Sequence, residues 1–241
     1  MKWVDTDQAA RSPSMQLAID EAMLFQAEEA GSAERLRIWE FDQPTIVLGR
    51  SSKVDDEVDR QRCEANGISI QRRSSGGATV MGGPGCMMYS VLLSFQQHPG
   101  LQKIDQAHLY VMNRVLAAVQ NQVPDAVHQG ICDLTWQNRK FSGNSLRIAR
   151  QHLLYHGTVL YDFDLDLLAS CLDFAPRQPD YRQSRSHDSF VTNVELDPTV
   201  LASDLREQFL AIDAVSIDDY FDRASKLQSE RYDLDSWRFR H

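Results

Sequence analysis

Residues 71–94, reading QRRSSGGATVMGGPGCMMYSVLLS, put two arginines, a serine pair and five glycines directly ahead of an apolar run. Glycine reaches backbone angles closed to other residues, so Gly76 and Gly77 let the chain turn sharply, and Gly82, Gly83 and Gly85 bracket a second turn at Pro84. Arg72 and Arg73 add fixed positive charge with forked donors. A loop of this composition suits the wrapping of a phosphate or a carboxylate. It equally suits two hairpin turns between strands with a solvated arginine pair at a strand end, and composition alone leaves both readings open.

The flanking sequence supplies alternating helical and strand patterns. Met15, Ala18, Ile19, Ala22, Met23 and Phe25 recur at helical spacing between Pro13 and Gly31, which predicts an amphipathic helix over 14–31. Strands are expected at 36–41 and 45–48, a short helix at 55–66 with Val58 and Cys63 inward, and a strand at 68–73 that delivers the arginines. Another strand follows at 89–95, then a helix at 108–123 with Leu109, Met112, Val115, Leu116 and Val119 on one face.

From 125 to 161 three apolar or alternating runs suggest a meander. Helices are expected at 164–172 and 198–209, with a polar surface loop at 177–193 between them. The tail offers Trp237 and Phe239 as packing residues. Strands clustered among helices, with no repeat and no linker, give an α+β fold with a mixed, largely antiparallel sheet flanked by helices, as one domain over 1–241.

A net charge of -9 argues against non-specific nucleic-acid binding, since only local arginine clusters at 177–185 and 231–240 oppose it. No apolar run approaches the roughly 20 residues that cross a bilayer, and the start carries no signal-peptide core, so a cytoplasmic location is expected. Cys63, Cys86, Cys132 and Cys171 form no CxxC pair, so free thiols are expected rather than a zinc site or a disulfide framework. No metal-ligating cluster is read. His152 and His187 read as surface or hydrogen-bonded histidines.

The second informative stretch is 130–157, GICDLTWQNRKFSGNSLRIARQHLLYHG. Lys140 opens RKFSGNS, where a hairpin strand can lead it towards the glycine loop. There it is either a solvated strand-end charge or an ammonium that neutralises oxygens of an activated acyl group.

The residue order of both stretches resembles the lipoate-protein ligase A family of the biotin and lipoate ligase superfamily, which includes octanoyltransferases. RRSSGGA and the later YS are similar to that family's RRxSGGG…G…YS, and RKFSGN with YHGTVLYDFDLDLL to its RKxSGx…HHGTLLxxxDLxxL. LAIDEAML and RIWEFDQPTIVLGR agree as well, so several ordered blocks extend over about three-quarters of the chain. The resemblance implies the fold of that catalytic domain and an enzyme that attaches lipoyl or octanoyl groups to one lysine of a lipoyl domain or glycine-cleavage H-like protein.

Carried over by position, Lys140 contacts the acyl group and phosphate. Arg72, Arg73, Ser75, Gly76, Gly77 and Ala78 form the loop over the ligand, Ala78 standing where the family has a third glycine. Asp133 takes the place of an aspartate that approaches the adenylate, Gly143 and Asn144 follow the motif lysine, and His156 and Gly157 line the pocket. Met87, Met88 and Val80 are candidates for an acyl tunnel. Gly82-Gly83 and Gly85-Cys86 depart from the family's His-Asp and Gly-Asn, and no room is left for the carboxy-terminal domain that many such ligases carry.

Two chemistries are implied. The ligase form takes lipoate, ATP and Mg2+ through lipoyl-AMP, with an accessory chain as one source of the missing domain. The transferase form uses no cofactor: Cys132, eight positions before Lys140, takes octanoyl from acyl carrier protein as a thioester, its pKa lowered by Lys140, and hands it to the acceptor lysine. Cys132 also reads as an ordinary buried thiol, with Cys86 a weaker nucleophile candidate. A non-catalytic lipoyl-domain binder is the third reading.

Overall fold

The computed structural model describes residues 1–6, 10–31, 33–174 and 178–241. The first half runs β1 (Lys2–Asp5), α1 (Pro13–Ala30), β2 (Arg35–Trp39), β3 (Thr45–Leu48), α2 (Val54–Glu57), α3 (Arg60–Ala65), β4 (Ser69–Arg72), β5 (Val80–Gly82) and β6 (Cys86–Ser94). After α4 (Ile104–Gln120) come β7 (Val127–Gln129), β8 (Asp133–Trp136), β9 (Arg139–Ile148) and β10 (His152–Leu160). The rest contains α5 (Leu165–Cys171), α6 (His187–Phe190), α7 (Pro198–Gln208), β11 (Asp213–Ser216), α8 (Phe221–Leu227) and α9 (Asp235–Arg238).

The large sheet has the order β11-β1-β2-β6-β10-β9-β8-β7, and β4-β3-β5 form a second, smaller sheet. Among the strands of the described residues, β1/β11, β1/β2 and β3/β4 pair in parallel and the rest antiparallel, so the α+β, mainly antiparallel expectation holds. The central strand β6 is buried on both faces because side chains alternate along a strand. Tyr89, Val91 and Leu93 join the core under α4 and α7, whereas Met88 and Leu92 face α1 and the small sheet. Met87 therefore points away from Met88 and Val80, on the far side of the sheet from them.

Several elements differ from the sequence reading for physical reasons. α1 begins at Pro13, is capped by Ser12, and is buried nearly all round rather than on one stripe, because sheet lies on one side and the C-terminal helices on the other. The expected 55–66 helix is two, broken at Val58, whose extended backbone bridges to Leu172. α4 starts four residues before the expected 108, so its inward face runs through Ala107, Val111, Met112 and Val115 and leaves Leu109 exposed.

The expected 177–193 loop contains a 3-10 turn at Asp180–Arg182 and helix α6; Arg177 falls outside the described residues. The tail is also more structured than its composition suggests: β11 extends the large sheet, and α8 with a π-turn at Gln228–Tyr232 packs on α1. Among the described residues no helix is long and apolar enough to cross a membrane.

Candidate active site

The β8–β9 hairpin turns at Gln137 and Asn138, both with positive φ, and then presents Lys140. Its pairing runs Asp133↔Gly143 and Leu134↔Ser142, then slips to Thr135↔Lys140, so β9 carries one extra residue at this point. Because side-chain direction alternates, that bulge places Lys140 on the same face as Asp133 instead of the opposite one. The Lys140 Nζ lies 2.8 Å from Asp133 Oδ1, and Asp133 Oδ2 accepts a 2.7 Å bond from the Tyr181 hydroxyl.

Lys140 lies over Gly143, where an added Cβ would stand 2.8 Å from both Cε and Nζ. The absence of a side chain there is what lets the ammonium reach across the strand.

Two cavities of about 100 and 120 Å3 meet at this lysine, and both are bordered by Lys140, Gly143 and Thr158 on one side and by residues 78–80 on the other. The first runs along β10 from Thr158 past Gly157 to His156, between Trp39, Leu17, Val47 and Met88. Asp20 and Ser90 line it beside His156. The second lies beyond Lys140, walled by Met81, Phe141, Leu160, Leu168 and Phe190, with Glu57, Asp173, Arg182 and His187 among its polar members.

The glycine loop is built around Arg73. Its guanidinium donates to the carbonyls of Val47, Gly76 and Ala78 and to Ser75 Oγ, so the loop folds over a cation that is itself buried. Burial lowers the Arg73 pKa to about 10, against the opposite pull of Glu57. The guanidinium edge, Gly77 and Ala78 line the first cavity, while Ser75 and Gly76 stand behind them, tied to His156 Nε2 and Ser145 Oγ respectively.

Arg72 points the other way. It donates to the carbonyls of Gly49, Ser52, Trp237 and Arg238 and lines neither cavity. Trp237 returns a 2.9 Å bond from Nε1 to the Arg72 carbonyl, so the C-terminal segment holds the strand that leads into the loop.

Asn144 and Gly157 form a second close packing. Tyr89 donates its hydroxyl proton to Asn144 Oδ1, Asn144 Nδ2 donates to the Cys132 carbonyl at 2.8 Å, and a Cβ on Gly157 would fall 1.7 Å from Asn144 Oδ1.

Cys132 is therefore beside the site but behind Asn144, lining neither cavity, with its thiol donating to the Asn144 carbonyl at 2.9 Å. Burial and then Asp133 push its pKa up to about 11, and the downward pull of Lys140 and Arg73 is too small to offset them. The expectation of a net lowering by Lys140 is thus overturned. Cys86 is fully buried and held protonated by burial beside Glu40. All four cysteines are free thiols.

Residue patterns did not flag Asp20, Trp39, Ser90, Tyr181 or Arg182. Asp20 carried a signal, being an acid inside the apolar LAIDEAML run. It is buried, accepts 2.6 Å bonds from Arg37 and Ser90, and lies 3.9 Å from His156. Burial favours the neutral acid, but Arg37 and His156 together outweigh it, and the Asp20 pKa is lowered. Burial likewise lowers the His156 pKa despite Asp20. His152 is buried and 2.9 Å from Glu28.

Residues 12–212 match the family model of the lipoyl protein ligase A/B catalytic domain. The chain belongs to that family. It is 30% identical over 189 residues to the octanoyltransferase LipM of Carboxydothermus hydrogenoformans, covering 71% of this chain and 70% of that one. To the lipoate-protein ligase LplJ of Bacillus subtilis strain 168 it is 24% identical over 214 residues, 87% of this chain but 61% of that protein.

A solved bi-partite lipoate protein ligase from Thermoplasma acidophilum, described with its E2 lipoyl domain, shares the fold at a TM-score of 0.81 and 22% identity, covering 98% of this chain and 94% of that one. This family member is thus an enzyme of the ligase and octanoyltransferase kind.

Proposed function

We propose that the chain is a lipoate-protein ligase that transfers a lipoyl group from lipoyl-AMP to one lysine of a lipoyl domain or glycine-cleavage H-like protein. The observation that carries this reading is the pair of cavities meeting at Lys140. One suits an extended acyl chain with a polar terminus at Asp20 and Ser90; the other suits the remainder of the donor. An activated carbonyl bridging the two lies against the ammonium.

The acceptor amine attacks that carbonyl, and negative charge develops on its oxygen and then on the departing phosphate. Lys140 stabilises both from a fixed position, held by Asp133, which Tyr181 in turn orients. The Arg73-centred loop supplies wall and backbone rather than a free guanidinium. Mg2+ enters this reading with the ATP; among the described residues no group of three acidic, His or Cys side chains could hold a metal. The bi-partite lipoate protein ligase of Thermoplasma supports a reading in which a second chain takes part.

A second reading, a cysteine-dependent octanoyltransferase, is favoured by the LipM likeness and by Cys132 standing next to the Lys140–Asp133 pair. Its thiol lines neither cavity and has a raised pKa, which weighs against it. The test incubates an apo lipoyl domain with lipoate, ATP and Mg2+, with preformed lipoyl-AMP, or with octanoyl-acyl carrier protein, for wild type and Cys132→Ala. A lipoyl-sized mass gain that survives the substitution supports the ligase. Octanoylation that vanishes with it supports the transferase, and no gain from any donor leaves only a binding role.

A further inference from the structure

We infer that the Thr79 hydroxyl is a further catalytic donor: it gives a hydrogen bond to the carbonyl oxygen of the activated acyl group, from the wall opposite Lys140. The inference deepens the acyl-transfer reading above and rests on it for the identity of that group.

The junction of the two cavities offers few polar side chains. Among the described residues that border both, only Lys140, Thr79 and Thr158 carry a side-chain hydrogen-bonding atom. The Thr158 hydroxyl is occupied by the neighbouring strand, accepting from the Gly143 N–H at 3.3 Å and donating to the Gly143 carbonyl at 3.4 Å. Thr79 Oγ1 is buried and has no hydrogen-bond partner among the described residues. A buried hydroxyl left unbonded costs stability, and a catalytic role is one of the few reasons to keep one.

The backbone that carries this hydroxyl is fixed on both sides. In the peptide joining Ala78 to Thr79, the carbonyl accepts from Arg73 Nη2 at 2.9 Å and the N–H donates to Glu57 Oε2 at 2.9 Å. Glu57 is itself buried and also accepts from the Ser52 hydroxyl at 3.2 Å. Thr79 is thus held in place by its main chain, and its hydroxyl gives up no bond by turning towards an oxygen at the junction.

A carbonyl oxygen has two lone pairs, so it can accept one bond from the ammonium and one from the hydroxyl. When the acceptor amine forms the C–N bond, the carbonyl π pair moves onto that oxygen, and both bonds strengthen as its charge grows. The pair returns as the bond to the leaving group breaks, the leaving group departs with the bonding electrons, and the surplus amine proton passes to solvent. Thr79 keeps its own proton throughout.

Single-turnover transfer to an apo lipoyl domain, from preformed lipoyl-AMP and from octanoyl-acyl carrier protein, tests this with two variants. Thr79→Val keeps the shape of the side chain without the hydroxyl, and Thr79→Ser keeps the hydroxyl. The valine variant should transfer about ten-fold more slowly or worse, and the serine variant within a few-fold of wild type. Lipoate binding, read by calorimetry, should be unchanged in both. The valine variant should unfold at no lower temperature than wild type, because the donor it loses had no partner. Stability and rate lost together would mark a structural threonine and overturn the assignment, as would equal rates in wild type and the valine variant or a loss that serine does not restore.

Transfer by wild type with an unaltered rate in the valine variant sinks Thr79 alone. No transfer by wild type from either donor sinks the acyl-transfer reading, and binding of octylphosphonate, a tetrahedral anion on an eight-carbon chain, then decides Thr79. Wild type should bind it about ten-fold tighter than the valine variant, the scale of one charged hydrogen bond, and equal affinities overturn the assignment.

Discussion

Lys140 Nζ and Asp133 Oδ1 are 2.8 Å apart on one face of the β8–β9 hairpin, and the inserted residue in β9 is what brings them to that face. Asp133 also accepts the Tyr181 hydroxyl, so it fixes both the direction of the ammonium and the segment that walls the second cavity. Asp133→Ala leaves the lysine and Tyr181 without their partner, a loss of about 1–3 kcal/mol. The expected result is a fall in transfer rate with little change in lipoate affinity, measured by single-turnover kinetics and calorimetry. Asp133→Asn, which can still accept from Tyr181, should retain more activity than the alanine variant.

Gly143→Ala separates position from stability. The new Cβ would approach the end of the Lys140 side chain at 2.8 Å, and a flexible chain end can swing aside at small cost. Thermal unfolding should move little while the transfer rate falls several-fold. Gly157→Ala presses instead on Asn144 and Tyr89, both tightly packed, and should destabilise by about 1–3 kcal/mol. Calorimetric unfolding of the two variants checks the contrast.

The raised pKa of Cys132 has a direct readout. A thiol whose pKa stands at about 11 holds little thiolate at pH 7–8, and its thiolate fraction climbs as the pH rises towards that value. Iodoacetamide labelling of Cys132, followed by peptide mass spectrometry, should be slow at pH 7.5 and accelerate steadily up to pH 10. Fast labelling at pH 7.5 would indicate an activated nucleophile and favour the transferase.

Trp237→Ala should loosen the glycine loop from a distance. The indole donates to the Arg72 carbonyl, and Arg72 in turn holds the carbonyls of residues 237 and 238. Loss of this reciprocal contact should cost about 1–3 kcal/mol of stability. Hydrogen exchange at residues 72–79 should quicken more than exchange in β10, which makes no such contact.

Elements with clear end signals or alternation were legible in the sequence. Pro13 and Gly31 mark the ends of α1, and the alternating stretches 133–160 form the antiparallel hairpins they suggest. The loop around residues 73–79 and Lys140 also stood out, because glycines, arginines and the RKFSGN order are local signals.

What long-range pairing decides was not legible. The bulge that aims Lys140 exists only in the register between β8 and β9. The separate fates of Arg72 and Arg73 depend on carbonyls twenty or more residues away, and for Arg72 on the C-terminal turn as well. Arg182 lay in a stretch that reads as polar loop, and only its burial against Phe190 sets it apart.

The most direct test is single-turnover transfer from preformed lipoyl-AMP to an apo lipoyl domain, comparing wild type with Lys140→Met, which keeps the length of the side chain and removes its charge. A loss of about 100-fold or more in the rate constant, with lipoate still bound, is the expected result. An unchanged rate constant would contradict the placement of the activated carbonyl against Lys140.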